Sequence, residues 1–221
     1  INMRKLIRKL SDMRGISGFE YRLTDQIADM FKKYCDDVKI DSLGSVIAVK
    51  RSNKPNAPKL MIEAHCDEIG LIVTSITDEG YLTFANVGGV DERTLPSTEV
   101  TVHGKEDLWG VIGIKPNYLL EQGKTAKLKE LAVDTGLSAE KVKELAAVGD
   151  SITLAQSVGR LGKKQFSGKS LDDRASVSAI MRVMKNIKDL DIDIDVYAVA
   201  AVQEEVGCRG GKTTAYGINP D

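Results

Sequence analysis

The chain has 221 residues, of which 42% are hydrophobic and 29% charged, with a formal net charge of -1. That composition supports a substantial core in one large or two small domains. The balanced charge gives no reason to expect nucleic acid as a partner, and no apolar run approaches the roughly 20 residues a membrane helix needs.

In chain order, Ile1-Asn2 reads as two extraneous residues before a native Met3, and the start leads into an amphipathic helix and not an apolar signal segment. Residues 3–14 carry Leu6, Ile7 and Leu10 at helical spacing, and Gly15-Ile16 breaks the helix. Ser17 opens S-G-F-E, which predicts a capping box with Glu20, and the next helix has Leu23, Ile27, Met30, Phe31 and Tyr34 on one face. Strands at 38–41 and 45–50 turn at Leu43-Gly44. After a Pro/Asn loop at 53–58, K-L-M-I-E-A-H at 59–65 predicts a central strand.

From Gly70 the texture changes to short alternating strands at 71–76, 81–85, 99–103 and 110–114, separated by turn signals such as Asp78-Glu79-Gly80. One helix, 139–147, follows Ser138 as N-cap. Helical spacing returns at Val177, Ile180, Met181, Met184 and Ile187, and a buried strand at 196–202 follows. The order α/β, β-rich, α/β predicts one β domain inserted into one α/β domain: 1–69 with 168–221, interrupted by 70–167.

Three places carry possible chemistry. His65 is one of two histidines and ends a predicted buried strand, where open α/β sheets place their ligands. Asp67, two residues on, shares its face and can orient the imidazole; a solvated acidic turn at Asp67-Glu68 would read the same way. S-L-D-D-R, residues 170–174, opens a helix with Asp172 and Asp173. Helix capping and an Asp173–Arg174 surface pair account for it when taken alone. Glu204 and Glu205 end the strand at 196–202, where buried carboxylates are costly unless they meet cations. One of the pair could hold a metal and the other move a proton. Together these donors suit zinc, cobalt or manganese. The odd cysteine count (Cys35, Cys66, Cys208), without paired short spacing, makes neither a disulfide framework nor a cysteine zinc site. Free, mostly buried thiols in a reducing cytoplasm fit it.

A-H-C-D-E-I-G, S-L-D-D-R-A and V-Q-E-E-V-G-C-R-G-G, with S-G-F-E before them and N-V-G-G-V-D between, resemble the tetrahedral aminopeptidases, the co-catalytic di-metal glutamyl, leucyl, lysyl and deblocking enzymes. The resemblance implies an α/β fold: a three-layer catalytic domain with a mixed sheet, interrupted by an inserted PDZ-like β-rich dimerisation domain. It implies two divalent metal ions, zinc or cobalt, short peptide substrates, and homo-oligomers built from dimers, up to dodecamers. His65 is then a ligand of one metal, Asp67 its orienting partner, Asp172 the bridging carboxylate, Glu204 the general base and Glu205 a ligand of the other metal. Asp173 lies outside the coordination sphere, and the peptide bond after Asp172 is expected to be cis. The family pattern has two more ligands, an aspartate and a histidine, after the Glu-Glu motif. The strand bearing that aspartate is expected beyond Y-G-I-N-P-D at 216–221, so the chain reads as the N-terminal part of the pattern, and His103 is a poor substitute. Two other readings stand beside this one. A glycosidase would need two carboxylates flanking a sugar bond, roughly 5 to 9.5 Å apart, and the single Trp109 offers little sugar stacking. A non-catalytic binding or assembly module is the other.

Overall fold

The computed structural model describes residues 2–114 and 126–221. Helices α1 (Met3–Asp12) and α2 (Tyr21–Phe31) form where apolar residues recur at helical spacing. Strands β1 (Asp37–Ile40), β2 (Val46–Lys50) and β3 (Lys59–His65) follow. Next come β4 (Gly70–Ile76), β5 (Leu82–Val87), β6 (Glu99–His103), β7 (Asp107–Ile114), β8 (Leu131–Asp134), α3 (Ala139–Leu145) and β9 (Ser151–Leu154). A hairpin, β10 (Gly159–Leu161) with β11 (Gln165–Ser167), leads to α4 (Leu171–Ile187), β12 (Asp195–Ala201) and α5 (Arg209–Ile218). Residues 115–125 of the expected β-rich segment lie outside the described residues.

The chain divides into two compact units, Ile1–Glu68 with Ser157–Asp221, and Ile69–Gln156. In the first, the sheet order is β1-β2-β12-β3; β12 runs antiparallel to β2 and parallel to β3, so the sheet is mixed. Alternation along β12 produces the layers. Val196, Ala198 and Ala200 join Leu10, Phe31 and Met184 in one apolar cluster, beneath α1, α2 and α4. Val199 and Ala201 join Ile218 of α5 in another. The three-layer α/β architecture therefore follows from period-2 burial on an inner strand. Phe31 is 0% exposed within the larger cluster. Phe31→Ala is expected to cost about 3–5 kcal/mol, measurable by urea unfolding.

Two expectations are corrected here. Strand β3 is not central among the described residues: it pairs only with β12, and Leu60 is 46% exposed. An apolar run reads alike for inner and edge strands. The boundary expected at 168 moves to 157, because the β10–β11 hairpin packs with the first unit, where the Val158 amide donates to Asp12 Oδ1 of α1 at 3.2 Å.

In the second unit the β-rich segment closes into a barrel, β4-β5-β8-β7-β6-β9, filled by side chains such as Leu71, Leu82, Val100, Val102, Ile112 and Val133. Closure leaves no free strand edge in the ring. Gly110 allows the close approach of β7 and β8, since a Cβ there would meet Val133 Cγ1 at 2.6 Å. Among the described residues, no helix is long and apolar enough to cross a membrane.

Candidate metal centre

The site is built at the ends of two parallel strands. The β3–β12 register sets Ala201 opposite His65, and the Cys66 amide donates to Ala201 O at 2.8 Å. Both strands therefore finish at one edge of the sheet, the usual place for ligands in open α/β sheets. Beyond β12, Gln203 turns into the left-handed region (φ 56°), which rotates the following residues out of the strand. The start of α4 supplies the third part. Asp172 and Asp173 are non-helical, and the peptide bond between them is cis. Asp173 Oδ1 then accepts the Ser176 amide at 3.3 Å, capping the regular part of the helix.

His65 is 7% exposed. Its Nδ1 lies 3.2 Å from Asp67 O and 3.5 Å from Asp67 Oδ1. Its Nε2 lies 3.2 Å from Asp172 Oδ1 and 3.8 Å from Glu204 Oε2. The acceptors at Nδ1 keep a proton there, so Nε2, which faces the Asp172 and Glu204 carboxylates, is the ring atom placed to meet a metal. One ligand atom each from His65, Glu204 and Glu205 falls within 4.8 Å of the others. Asp172 stands outside that group, and its side chain is 90% exposed.

The electrostatics are those of crowded carboxylates around one imidazole. Burial pulls the His65 pKa down, but hydrogen bonding and charge from Asp67, with Asp172 and Glu204, outweigh it and raise the value to about 9. Burial opposes ionisation of Asp67, yet bonds from His65, Ser17 and the Glu204 and Glu205 amides hold its carboxyl below the ordinary range. Glu205 is pushed up by burial and by the charges of Asp67, Glu204 and Asp172, against His65. Glu63, one pleat before His65, is pushed up first by burial and then by Asp173 and Glu204. A nitrogen/oxygen donor set with excess negative charge fits a divalent cation such as zinc, cobalt or manganese.

A family model for the M42 glutamyl aminopeptidase matches residues 44–221. The chain belongs to this family. It is 35% identical over 225 residues to a lysyl aminopeptidase of Pyrococcus furiosus, covering 98% of this chain and 64% of that protein. The structure is similar to an aminopeptidase from the archaeon Desulfurococcus kamchatkensis, with TM-score 0.92 and 38% identity, covering 99% of this chain and 61% of the other. It is also similar to a TET peptidase of Pyrococcus horikoshii that can assemble into a tetrahedron or a large octahedral shell, with TM-score 0.89 and 34% identity, over 100% of this chain and 67% of that one. The chain thus spans about 64% of the length of the curated relative described. The motif resemblance and the α/β fold it implied are borne out by the family match and these neighbours.

Within this M42 chain, several contacts around the candidate residues were not legible in the sequence. The S-G-F-E segment is not a capping box: Glu20 is itself the N-cap of α2, and its side chain does not cap. Instead Ser17 Oγ donates to Asp67 Oδ2 at 2.6 Å, and Glu20 Oε1 accepts the Gln203 amide at 3.0 Å. The expected Asp173–Arg174 surface pair is also absent among the described contacts. Arg174 is 0% exposed and meets Glu68 Oε1 at 3.2 Å, while Lys169 Nζ meets Glu68 Oε2 at 2.7 Å. Glu68 is therefore a buried anion between two cations and not a solvated turn residue. Its backbone position beside Asp67 was visible in sequence, but its cations come from 101 and 106 residues away.

His103 belongs to the barrel unit, where its ring nitrogens meet Asp107 Oδ1 and Thr153 Oγ1 at 2.8 Å each. Two described clefts, about 150 and 300 Å³, are lined respectively by basic residues including Arg4, Arg160 and Lys164, and by Leu6, Met30 and Met181 among others. Neither includes the candidate donors.

All three cysteines are free. Cys66 is buried and its thiol is pushed up by burial; Cys35 is half-buried and burial raises its pKa to about 12; only Cys208 is exposed. A small disulfide reagent at neutral pH is expected to label one thiol, Cys208, in the folded chain and three after denaturation, read by absorbance and peptide mapping.

Proposed function

We propose that the protein is a metal-dependent aminopeptidase that removes N-terminal residues from short peptides. One observation carries the reading: His65, Glu204 and Glu205 bring ligand atoms within 4.8 Å of one another at the adjacent ends of β3 and β12. His65 and Glu205 would each hold one of two divalent ions, zinc or cobalt, with Asp172 bridging them. The contact of Asp172 with His65 Nε2 supports that assignment. Bound metal supplies Lewis-acid polarisation of the scissile carbonyl and acidifies water.

The chain's own residues do the rest. Asp67 fixes the imidazole through Nδ1 and, by accepting the Glu204 and Glu205 amides at 3.0 and 3.1 Å, sets the turn that carries both glutamates. Glu204 takes a proton from the attacking water as the carbon–oxygen bond forms. It returns that proton to the departing amine as the carbon–nitrogen bond breaks. The glycosidase alternative is not favoured: the two glutamates are chain neighbours gathered on one imidazole, and the family is a peptidase family.

The test uses chromogenic aminoacyl anilides and a soluble glucan, with and without chelator. Anilide hydrolysis lost on chelation and restored by zinc or cobalt is expected of protein that carries the family's full ligand pattern. Glucan cleavage without anilide hydrolysis would overturn the reading, and a purified protein that binds no divalent metal would favour a non-catalytic assembly module. The barrel unit is the proposed dimerisation element of a homo-oligomer, supported by the shell-forming relative. Light scattering after size exclusion checks it, a monomer being the contrary result. The free cysteines agree with a cytoplasmic location.

A further inference from the structure

The early S-G-F-E segment lies far in sequence from the metal motifs, yet two of its side chains end on the residues that carry them. Ser17 is 7% exposed and Glu20 5% exposed. Ser17 reaches Asp67, the residue behind His65. Glu20 reaches the amide of Gln203, the residue before the glutamate pair. Asp67 itself takes the next two amides, of Glu204 and Glu205. Three consecutive backbone N–H groups, 203 to 205, are thus held by two buried carboxylates. Such a concave run of amides binds anions, and here the left-handed Gln203 creates it. The two carboxylates repel each other, and burial together with the Asp67 charge disfavours ionisation of Glu20. The amides and the Ser17 hydroxyl offset that repulsion.

We propose that the 17–20 segment is a clamp on the metal centre, with Ser17 and Glu20 as positioning residues: Ser17 fixes Asp67, and Glu20 fixes the turn that presents Glu204 and Glu205. Without Glu20 the Gln203 amide loses its acceptor, and a left-handed non-glycine residue loses a bond that holds it there. The turn then samples conformations in which the glutamates leave His65. Glu20→Gln keeps an acceptor oxygen at the same reach and preserves the clamp; Glu20→Ala removes it. The metal part of this inference rests on the aminopeptidase reading, but the clamp itself does not.

The experiment has two independent readouts on the 221-residue chain. Amide hydrogen exchange, resolved at Gln203, Glu204 and Glu205, reads the clamp with no metal present. In Glu20→Ala the Gln203 amide is expected to exchange at least about tenfold faster, while Glu20→Gln stays near the parent. Ser17→Ala is expected to speed exchange at Glu204 and Glu205. Cobalt titration, followed by its visible absorption, reads the centre. Affinity is expected to fall about 10- to 100-fold in Glu20→Ala and to be restored by Glu20→Gln. Amides in 203–205 that exchange as in the parent, while global unfolding is unchanged, would overturn the clamp. Faster exchange in a parent chain that takes up no cobalt would leave the clamp standing and count against the metal reading instead.

Discussion

In the complete enzyme, with the full ligand pattern of the family, Glu204→Gln is expected to lower aminopeptidase turnover by about 10²- to 10⁴-fold, the usual contribution of a positioned acid–base group. The amide matches the carboxylate in shape, and it can still accept the bond that Cys208 Sγ donates to Oε1 at 3.2 Å. What it cannot do is take a proton from water. Because the Glu204 carboxylate lies among the candidate ligand atoms, metal content must be measured beside kcat. Lost turnover with metal retained assigns Glu204 as the base. Lost metal assigns it as a ligand, and retained turnover refutes both roles. Glu205→Gln is the companion: it is expected to lose metal first and turnover as a consequence.

Arg174→Met is expected to destabilise the first unit by about 3–5 kcal/mol, read as a fall in the urea midpoint without a change in slope. The guanidinium is wholly buried. Its Nε donates to Cys66 O at 2.8 Å, Nη1 to Leu10 O at 2.8 Å and to Met13 O, and Nη2 to Glu68 at 3.2 Å. Methionine fills much of the space but strands several carbonyls and removes one of the two cations on Glu68. Lys169 remains, although burial lowers its pKa against the pull of Glu68. Arg174→Lys is expected to recover only part of the loss, since one ammonium cannot replace a planar fork reaching four directions. A typical domain is stable by about 5–15 kcal/mol, so this one side chain carries a large share. It also ties the α1 exit, the loop after His65 and the start of α4 together, so the fold and the site share this anchor.

The same residue shows where sequence reading stopped. In S-L-D-D-R the two aspartates and the arginine sit side by side, and local chemistry offers a cap and a surface pair. Asp173 does cap the helix. Arg174 does not pair locally, because its partners are backbone carbonyls more than 100 residues earlier. Ser17 and Glu20 repeat the lesson: a capping box is a local pattern, and nothing nearby reveals acceptors 50 residues away or donors 183 residues away. The strand at 59–65 was legible as a strand, but its place in the sheet order was not, because pairing partners leave no trace in an apolar run.

The sequence by itself determined the family and the alternation of α/β with a β-rich insert, and it singled out His65, Asp67, Asp172, Glu204 and Glu205 as candidates. These follow from side-chain periodicity and from ordered short motifs, both of which are local. Tertiary structure alone decided that β3 and β12 end in register, that Asp67 accepts the Glu204 and Glu205 amides, that Ser17 and Glu20 reach Asp67 and Gln203, and that Arg174 reaches Glu68. Those depend on which backbone donors and buried charges meet across the chain. Burial forces each to find a partner, but the partner is fixed only when the whole unit has folded.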